Sequence, residues 1–345
     1  MDTQTQPGNT RKGRAIPPEA SSMRAIVQEA YGSVDVLKYE QVARPTIDAE
    51  EVLIRVHAAG LDRGTWHMMT GRPYLMRVLG FGFRRPKNRV AGLDVAGTVV
   101  AVGGAVRRFA VGDEVFGIAR GSFAEYAAAR EDKLAPKPAN LSWEQAAVVP
   151  VSVLPAWQGL TEVGRLERGQ RVLITGASGG VGSYAVQLAK ALGAEVTGVC
   201  STAKSDLVRS LGADHVIDYT REDFADGTRE YDLILDIAGN TSLSRLRRAL
   251  SRTGTLVIVG GEQGGNWTGG FGRQLRAPVV SLFVTQRLAM VTSKERSADL
   301  DQLTPFLDSG AVVPRIDRAY PLERVREAMN HLEAGRVRGK VSITI

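Results

Sequence analysis

The sequence predicts an α/β protein made of two units: a mostly β unit and a doubly wound parallel sheet. Three observations carry this reading. Short apolar runs separated by turn residues fill the chain to about residue 147. Strand and helix patterns alternate after Arg168, and a glycine-rich turn joins the first strand of that alternation to its first helix. With 345 residues, 43% apolar and 23% charged side chains, the chain has globular composition and is long enough for two cores.

Residues 1–22 are polar, carry three prolines and lack an apolar core, so they predict a disordered extension and not a secretory signal. Met23–Gln28 begins the patterned chain. Further strands are expected at Glu51–Val56, Val95–Val102, Glu114–Phe116 and Ala124–Ala128, punctuated by Gly103-Gly104 and Gly112-Asp113. A helix is expected from Ser142, where Ser142 and Gln145 have capping-box spacing. The alternating half then reads strand Arg171–Ile174, helix Val181–Leu192, and strands Glu195–Val199, Asp214–Ile217, Tyr231–Asp236 and Thr255–Val259. The tail predicts helices near 297–308 and 322–334 and a last strand, Lys340–Ile345.

Composition narrows the function classes. No run of about 18 apolar residues exists, so neither a spanning helix nor a membrane partner is expected. The single cysteine, Cys200, forms no intramolecular disulfide and builds no cysteine zinc site, which suits a reducing, cytoplasmic setting. Part of the net charge of +7 lies in Arg72, Arg77, Arg84, Arg85, Lys87 and Arg89, with no acid between them. That block reads either as a solvated loop or as an electropositive rim that steers an anionic cofactor or substrate. No nucleic-acid-binding module accompanies it.

Val172–Ser183 leaves an apolar strand and enters a helix, with Ala177, Gly179 and Gly182 in G-x-G-x-x-G spacing. Small residues there let backbone N–H groups and the helix dipole approach a pyrophosphate. Ala177, Ser178, Gly179, Gly180 and Val181 are therefore candidate cofactor contacts. About 20 residues further on, an NAD site places an acid against the ribose 2′-hydroxyl. This chain has Cys200-Ser-Thr-Ala-Lys204 instead, and Asp206 is expected on the following helix. Ser201, Thr202 and Lys204 suit a 2′-phosphate, so NADP(H) is expected over NAD.

The turn with its helix (Gly176–Lys190), Leu211-Gly-Ala-Asp-His-Val-Ile-Asp-Tyr219 and Ala91-Gly-Leu-Asp-Val-Ala-Gly-Thr-Val99 resemble the medium-chain dehydrogenase/reductases. Val111–Gly117, Phe123–Tyr126 and Arg338-Gly-Lys-Val341 extend the likeness, which is greatest to the zinc-independent quinone-oxidoreductase-like branch. The resemblance implies a GroES-like catalytic domain over 23–150 and 293–345, a Rossmann domain over 151–292, and a homodimer. It also implies cofactor contacts at Tyr219, Ala238, Gly239, Gly260, Gly261 and Lys340. Zinc-dependent relatives carry a cysteine and a His-Glu pair where this chain reads Gly60-Leu-Asp62 and Gly92-Leu-Asp94. His57 and His67 have no evident ligand partners, so no metal is expected. No tyrosine is followed four residues later by lysine, which sets aside the short-chain dehydrogenases.

The chemistry so implied is hydride transfer from NADPH to a quinone or an activated C=C bond such as an enone. Asp62, Trp66 and Tyr74 are the candidate catalytic residues. Asp62 stands where many relatives have an asparagine, Trp66 is expected to floor the substrate pocket, and Tyr74 is a candidate hydrogen-bond donor. Gly260–Gly272 with Trp267, and the apolar stretch to Met290, are expected to form the other pocket wall and to carry a dimer contact. Two alternatives stay open: an enoyl-thioester (CoA or carrier-protein) reductase that holds a phosphate on the 72–89 block, and an NADPH-binding sensor or RNA-binding protein of weak activity.

Overall fold

The structure, a computed structural model, describes residues 21–261 and 265–345. The expected disordered extension lies outside the described residues up to residue 20, and so do residues 262–264 of the expected pocket wall. The first half runs β1 (Ser22–Val27), β2 (Lys38–Ala43), β3 (Glu51–Leu61), α1 (Arg63–Thr70), β4 (Asp94–Val102), β5 (Glu114–Ile118), β6 (Tyr126–Arg130), β7 (Leu134–Pro136), α2 (Trp143–Ala147) and α3 (Pro150–Gln158). The second half begins β8 (Arg171–Thr175), α4 (Gly180–Ala191), β9 (Glu195–Cys200), α5 (Ser205–Ser210), β10 (His215–Asp218), β11 (Tyr231–Asp236), α6 (Leu243–Arg248) and β12 (Leu250–Ile258). It ends α7 (Gly265–Thr268), α8 (Phe271–Ser281), β13 (Arg287–Met290), α9 (Ser297–Asp308), β14 (Ile316–Pro321), α10 (Val325–Glu333) and β15 (Lys340–Thr344).

β8 to β13 form one sheet in the order β10-β9-β8-β11-β12-β13, parallel at every pairing. Its central strands are apolar on both faces because both faces are covered. Val172, Ile174, Leu233 and Leu235 pack on one side with α3 and α4, and Leu173 and Ile234 pack on the other with Leu246 and Ala277. The chain leaves β8 in one direction and returns at β11 in the other, which opens a crevice at the strand C-termini.

The other large sheet, β14-β15-β3-β4-β5-β7 with β6 on β3, gathers N-terminal strands and the end of the chain. β15 pairs antiparallel with β3 (Val341 opposite Leu61), and β3 with β4 (Gly60 opposite Asp94). Lys340, the end of β3 and Asp94 therefore meet at one edge. Ser142 caps α2 through the expected capping box with Gln145. β6 begins two residues later than expected, with Ala124 bridging Ala25 instead. β14 is half exposed and carries no apolar run to announce it. Among the described residues, no helix is long and apolar enough to cross a membrane.

Candidate active site

A cavity of about 910 Å³ lies between the two sheets. One end of it is backbone. β8 runs into Gly176 (φ 69°), and Gly179 precedes the first turn of α4. A Cβ on Gly182 would stand 2.1 Å from the Gly176 carbonyl oxygen, so only glycine lets α4 start this close to the strand. Gly176, Gly179, Gly180 and Val181 line the cavity with α4's N-terminal N–H groups behind them. Ala177 and Ser178 do not line it. Ala177 is fully buried beneath the turn against β9, and the Ser178 carbonyl accepts from Gly339 N–H (2.9 Å). The turn fits a dinucleotide pyrophosphate, because the space is glycine backbone that a side chain would fill.

Beside it, Ala238, Gly260, Gly261 and Gly270 line the cavity, whereas Gly239 does not. The Thr175 hydroxyl donates to Asp236 (2.7 Å) and accepts from Ile237 and Ala238 N–H (3.1 and 3.2 Å), which fixes the chain after β11. Arg273 on α8 pairs with the buried Asp236 and donates to the Thr241 and Gly260 carbonyls.

Ser201, Thr202, Lys204 and Tyr219 collect on the adjacent strand ends, where Cys200 pairs with Asp218. Tyr219 is exposed, and its N–H donates to Cys200. Asp218, which no sequence motif marked as a site residue, has its carboxylate held below the usual range by hydrogen bonds from Thr202 and Thr220. Lys204 donates to the Gly335 and Val337 carbonyls (2.9 and 2.8 Å), and half-burial lowers its pKa. Arg338, also missed, reaches Asp206 (2.6 Å) and the Ala203 carbonyl across the same turn. It lay unremarked inside the Arg338-Gly-Lys-Val341 motif.

At the centre, Lys340 is 2% exposed and lines the cavity. Its ammonium donates to Ser152 Oγ (2.8 Å) and faces Asp94 Oδ2 (3.4 Å), while Val151 N–H donates to Asp94 Oδ1 (2.7 Å). Complete burial pushes the Asp94 carboxyl up to about 7, against the opposing pull of Lys340. Neither Asp94 nor Ser152 emerged as a site residue from the sequence, since neither lies near Lys340 along the chain.

At the substrate end, Asp62 caps α1, its Oδ1 accepting from Thr65 N–H (2.8 Å). Its Oδ2 is buried with no hydrogen-bond partner among the described residues, and the residue lines the cavity. Helical spacing puts Gly64, His67 and Met68 on the same wall. Trp66 is rotated off that face, so it does not floor the cavity: its Nε1 donates to Glu333 (2.6 Å), and the ring packs near α10. Tyr74 does not line it either. Its ring meets Trp267 edge to face (5.4 Å), and its N–H donates to Asn266. Met76, Phe81, Leu93, Ile118 and Leu154 supply apolar walls.

A zinc ion does not fit these residues: among the described ones, no three His, Cys, Asp or Glu side chains come together to hold a metal. His57 stacks on Trp143 (4.3 Å) and shares a hydrogen bond with Thr98, and burial pushes its pKa down. His67 Nδ1 donates to the Arg72 carbonyl (2.7 Å).

Residues 48–139 match the alcohol dehydrogenase GroES-like domain family, and residues 211–343 the zinc-binding dehydrogenase family. A 2-methylene-furan-3-one reductase of Solanum lycopersicum is 36% identical, with 94% of this chain and 79% of that protein covered. An NADPH-dependent alkenal/one oxidoreductase of Arabidopsis thaliana is 33% identical over 97% and 82%. The solved quinone oxidoreductase from Coxiella burnetii superposes with a TM-score of 0.83 at 28% identity, covering 94% of this chain and 99% of that one.

Proposed function

Because the chain belongs to the medium-chain dehydrogenase/reductase superfamily, we propose that it is an NADPH-dependent oxidoreductase that reduces a quinone or an enone C=C bond. One observation carries this: a single cavity joins the glycine cradle, the buried Lys340 and the unpartnered oxygen of Asp62. The bound nicotinamide supplies the hydride. The glycine cradle binds pyrophosphate. Ser201, Lys204, Tyr219 and Arg338 offer hydroxyls and positive charge to a 2′-phosphate, favouring NADPH over NADH.

Lys340, held by Ser152 and Asp94, orients the ribose and nicotinamide end. The apolar walls exclude water and would hold an unsaturated acceptor in the same cavity as the nicotinamide. Asp62 Oδ2 accepts a hydrogen bond from the hydroxyl of a hydroquinone product. The division into 23–150 with 293–345 and 151–292 belongs to the same reading, as does a cytoplasmic setting. So does a homodimer formed through the exposed Leu275 and Val279 of α8 with Leu282 and Phe283.

The test is absorbance at 340 nm with NADPH and NADH against ortho- and para-quinones, 2-enones and enoyl-CoA. The expected result is NADPH oxidation by quinones or enones, with NADH far slower. Faster turnover of enoyl-CoA would favour the thioester reading, for which the 72–89 loop at the cavity mouth is the relevant observation. Binding of NADPH without turnover would replace the reductase with a sensor.

A further inference from the structure

The loop that forms the cavity mouth has two unlike sides. Met76, Gly80, Phe81, Pro86 and Lys87 face inward and line the cavity. The tip is pinned, with Lys87 N–H donating to the Phe81 carbonyl (2.9 Å) and the Tyr31 hydroxyl to Gly82 (2.7 Å). Outward stand Val78, Leu79 and Phe83, at 70%, 64% and 72% exposure. Trp267, 76% exposed, meets Tyr74 at the start of the same loop.

The cations of this loop divide as well. Arg77 is spent inside, donating to the Gly71 and Thr70 carbonyls and stacking on Tyr31 and Tyr74. Arg89 pairs with Glu29 and Glu40. Arg72, Arg84 and Arg85, all exposed, have no carboxylate partner among the described residues, and the chain has no acid between Asp62 and Asp94.

Large apolar side chains held in water beside unneutralised cations match a surface that offers hydrocarbon and negative charge together. A phosphate on a soluble carrier would use the cations and leave four apolar side chains wet. An RNA backbone would do the same. We propose that this loop, with Trp267, docks on an anionic lipid bilayer and that the mouth receives apolar acceptors from it. The second half rests on the reductase reading above; the docking does not. The contact is peripheral and adds a surface interaction to a chain expected to have no membrane partner.

The experiment is co-sedimentation of the full chain with phosphatidylcholine vesicles, with and without phosphatidylglycerol, run beside RNA and CoA binding. The wild type is expected to sediment only with anionic vesicles, and less as salt rises. Arg84→Ser with Arg85→Ser should lower that partition roughly thirtyfold. Leu79→Ser with Phe83→Ser should lower it about tenfold or more. Both double variants should keep wild-type turnover of a short-chain, water-soluble quinone, which shows that they fold. No sedimentation with anionic vesicles, equal sedimentation by the variants, or binding of RNA or CoA alone would overturn the docking. Vesicle binding without turnover of any quinone or enone would sink the reductase reading and leave the docking standing.

Discussion

The two ends of the cavity are built by opposite means. The pyrophosphate cradle at the cofactor end is backbone from one short stretch, Gly176–Gly182, shaped by the absence of side chains. The centre and substrate end are side chains brought from far apart: Asp62, Asp94, Ser152 and Lys340 come from four separate segments. The first surface is sensitive to anything added, and the second to anything removed. Evolution of a new acceptor in this scaffold therefore has room only at the second.

Removing one partner from the centre should have the largest effect. Asp94→Ala leaves the Lys340 ammonium buried beside Ser152 alone, and is expected to cost about 3–5 kcal/mol in chemical denaturation. The same carboxyl sets a pH dependence. With its native pKa raised to about 7, it keeps in the folded state a proton that the unfolded chain has already released. Its contribution to stability therefore falls as pH rises from about 4 to about 7, and Asp94→Asn should flatten that slope. An unchanged slope would mean that Lys340 holds Asp94 ionised.

Adding one methyl at the other end comes next. Gly182→Ala drives a Cβ toward the Gly176 carbonyl, and overpacking of this kind costs about 1–3 kcal/mol. NADPH affinity by fluorescence titration should fall with it, by about tenfold or more. Normal affinity would place the pyrophosphate elsewhere. Lys204→Ala is expected to weaken NADPH about tenfold while leaving NADH untouched. A parallel loss for both nucleotides would mean that Lys204 matters only as a tether to Gly335 and Val337. The smallest effect belongs to Trp66. Since it packs toward α10, Trp66→Phe should change KM for the acceptor less than about threefold. A large rise would restore it to the pocket floor.

How far residues could be read from the chain follows the same division. Gly179 and Gly182 were legible because a strand, a tight turn and a helix N-terminus are consecutive in sequence. Lys204 stood out as a residue type after the second strand and Tyr219 only through the family resemblance, while the carboxylate of Asp218 drew no notice in either way. Trp66 was misplaced because the helix face depends on where α1 begins, and Asp62 sets that start by capping it. Asp94 and Ser152 required knowing that β15 returns beside β3, a pairing across 280 positions between Val341 and Leu61 that no local pattern announces.

That return has a consequence for biosynthesis. The strand that delivers Lys340 leaves the ribosome after the whole of the preceding chain, yet it pairs with β3, which emerges far earlier. Until it does, Ala58–Leu61 of β3 wait unpaired on that edge and Asp94 lacks its ammonium, although the whole glycine turn has already been made. A nascent chain halted before residue 340 would have the cradle sequence but no finished centre. The protein thus becomes competent in one late step, and premature termination yields an aggregation-prone fragment and not a weak enzyme.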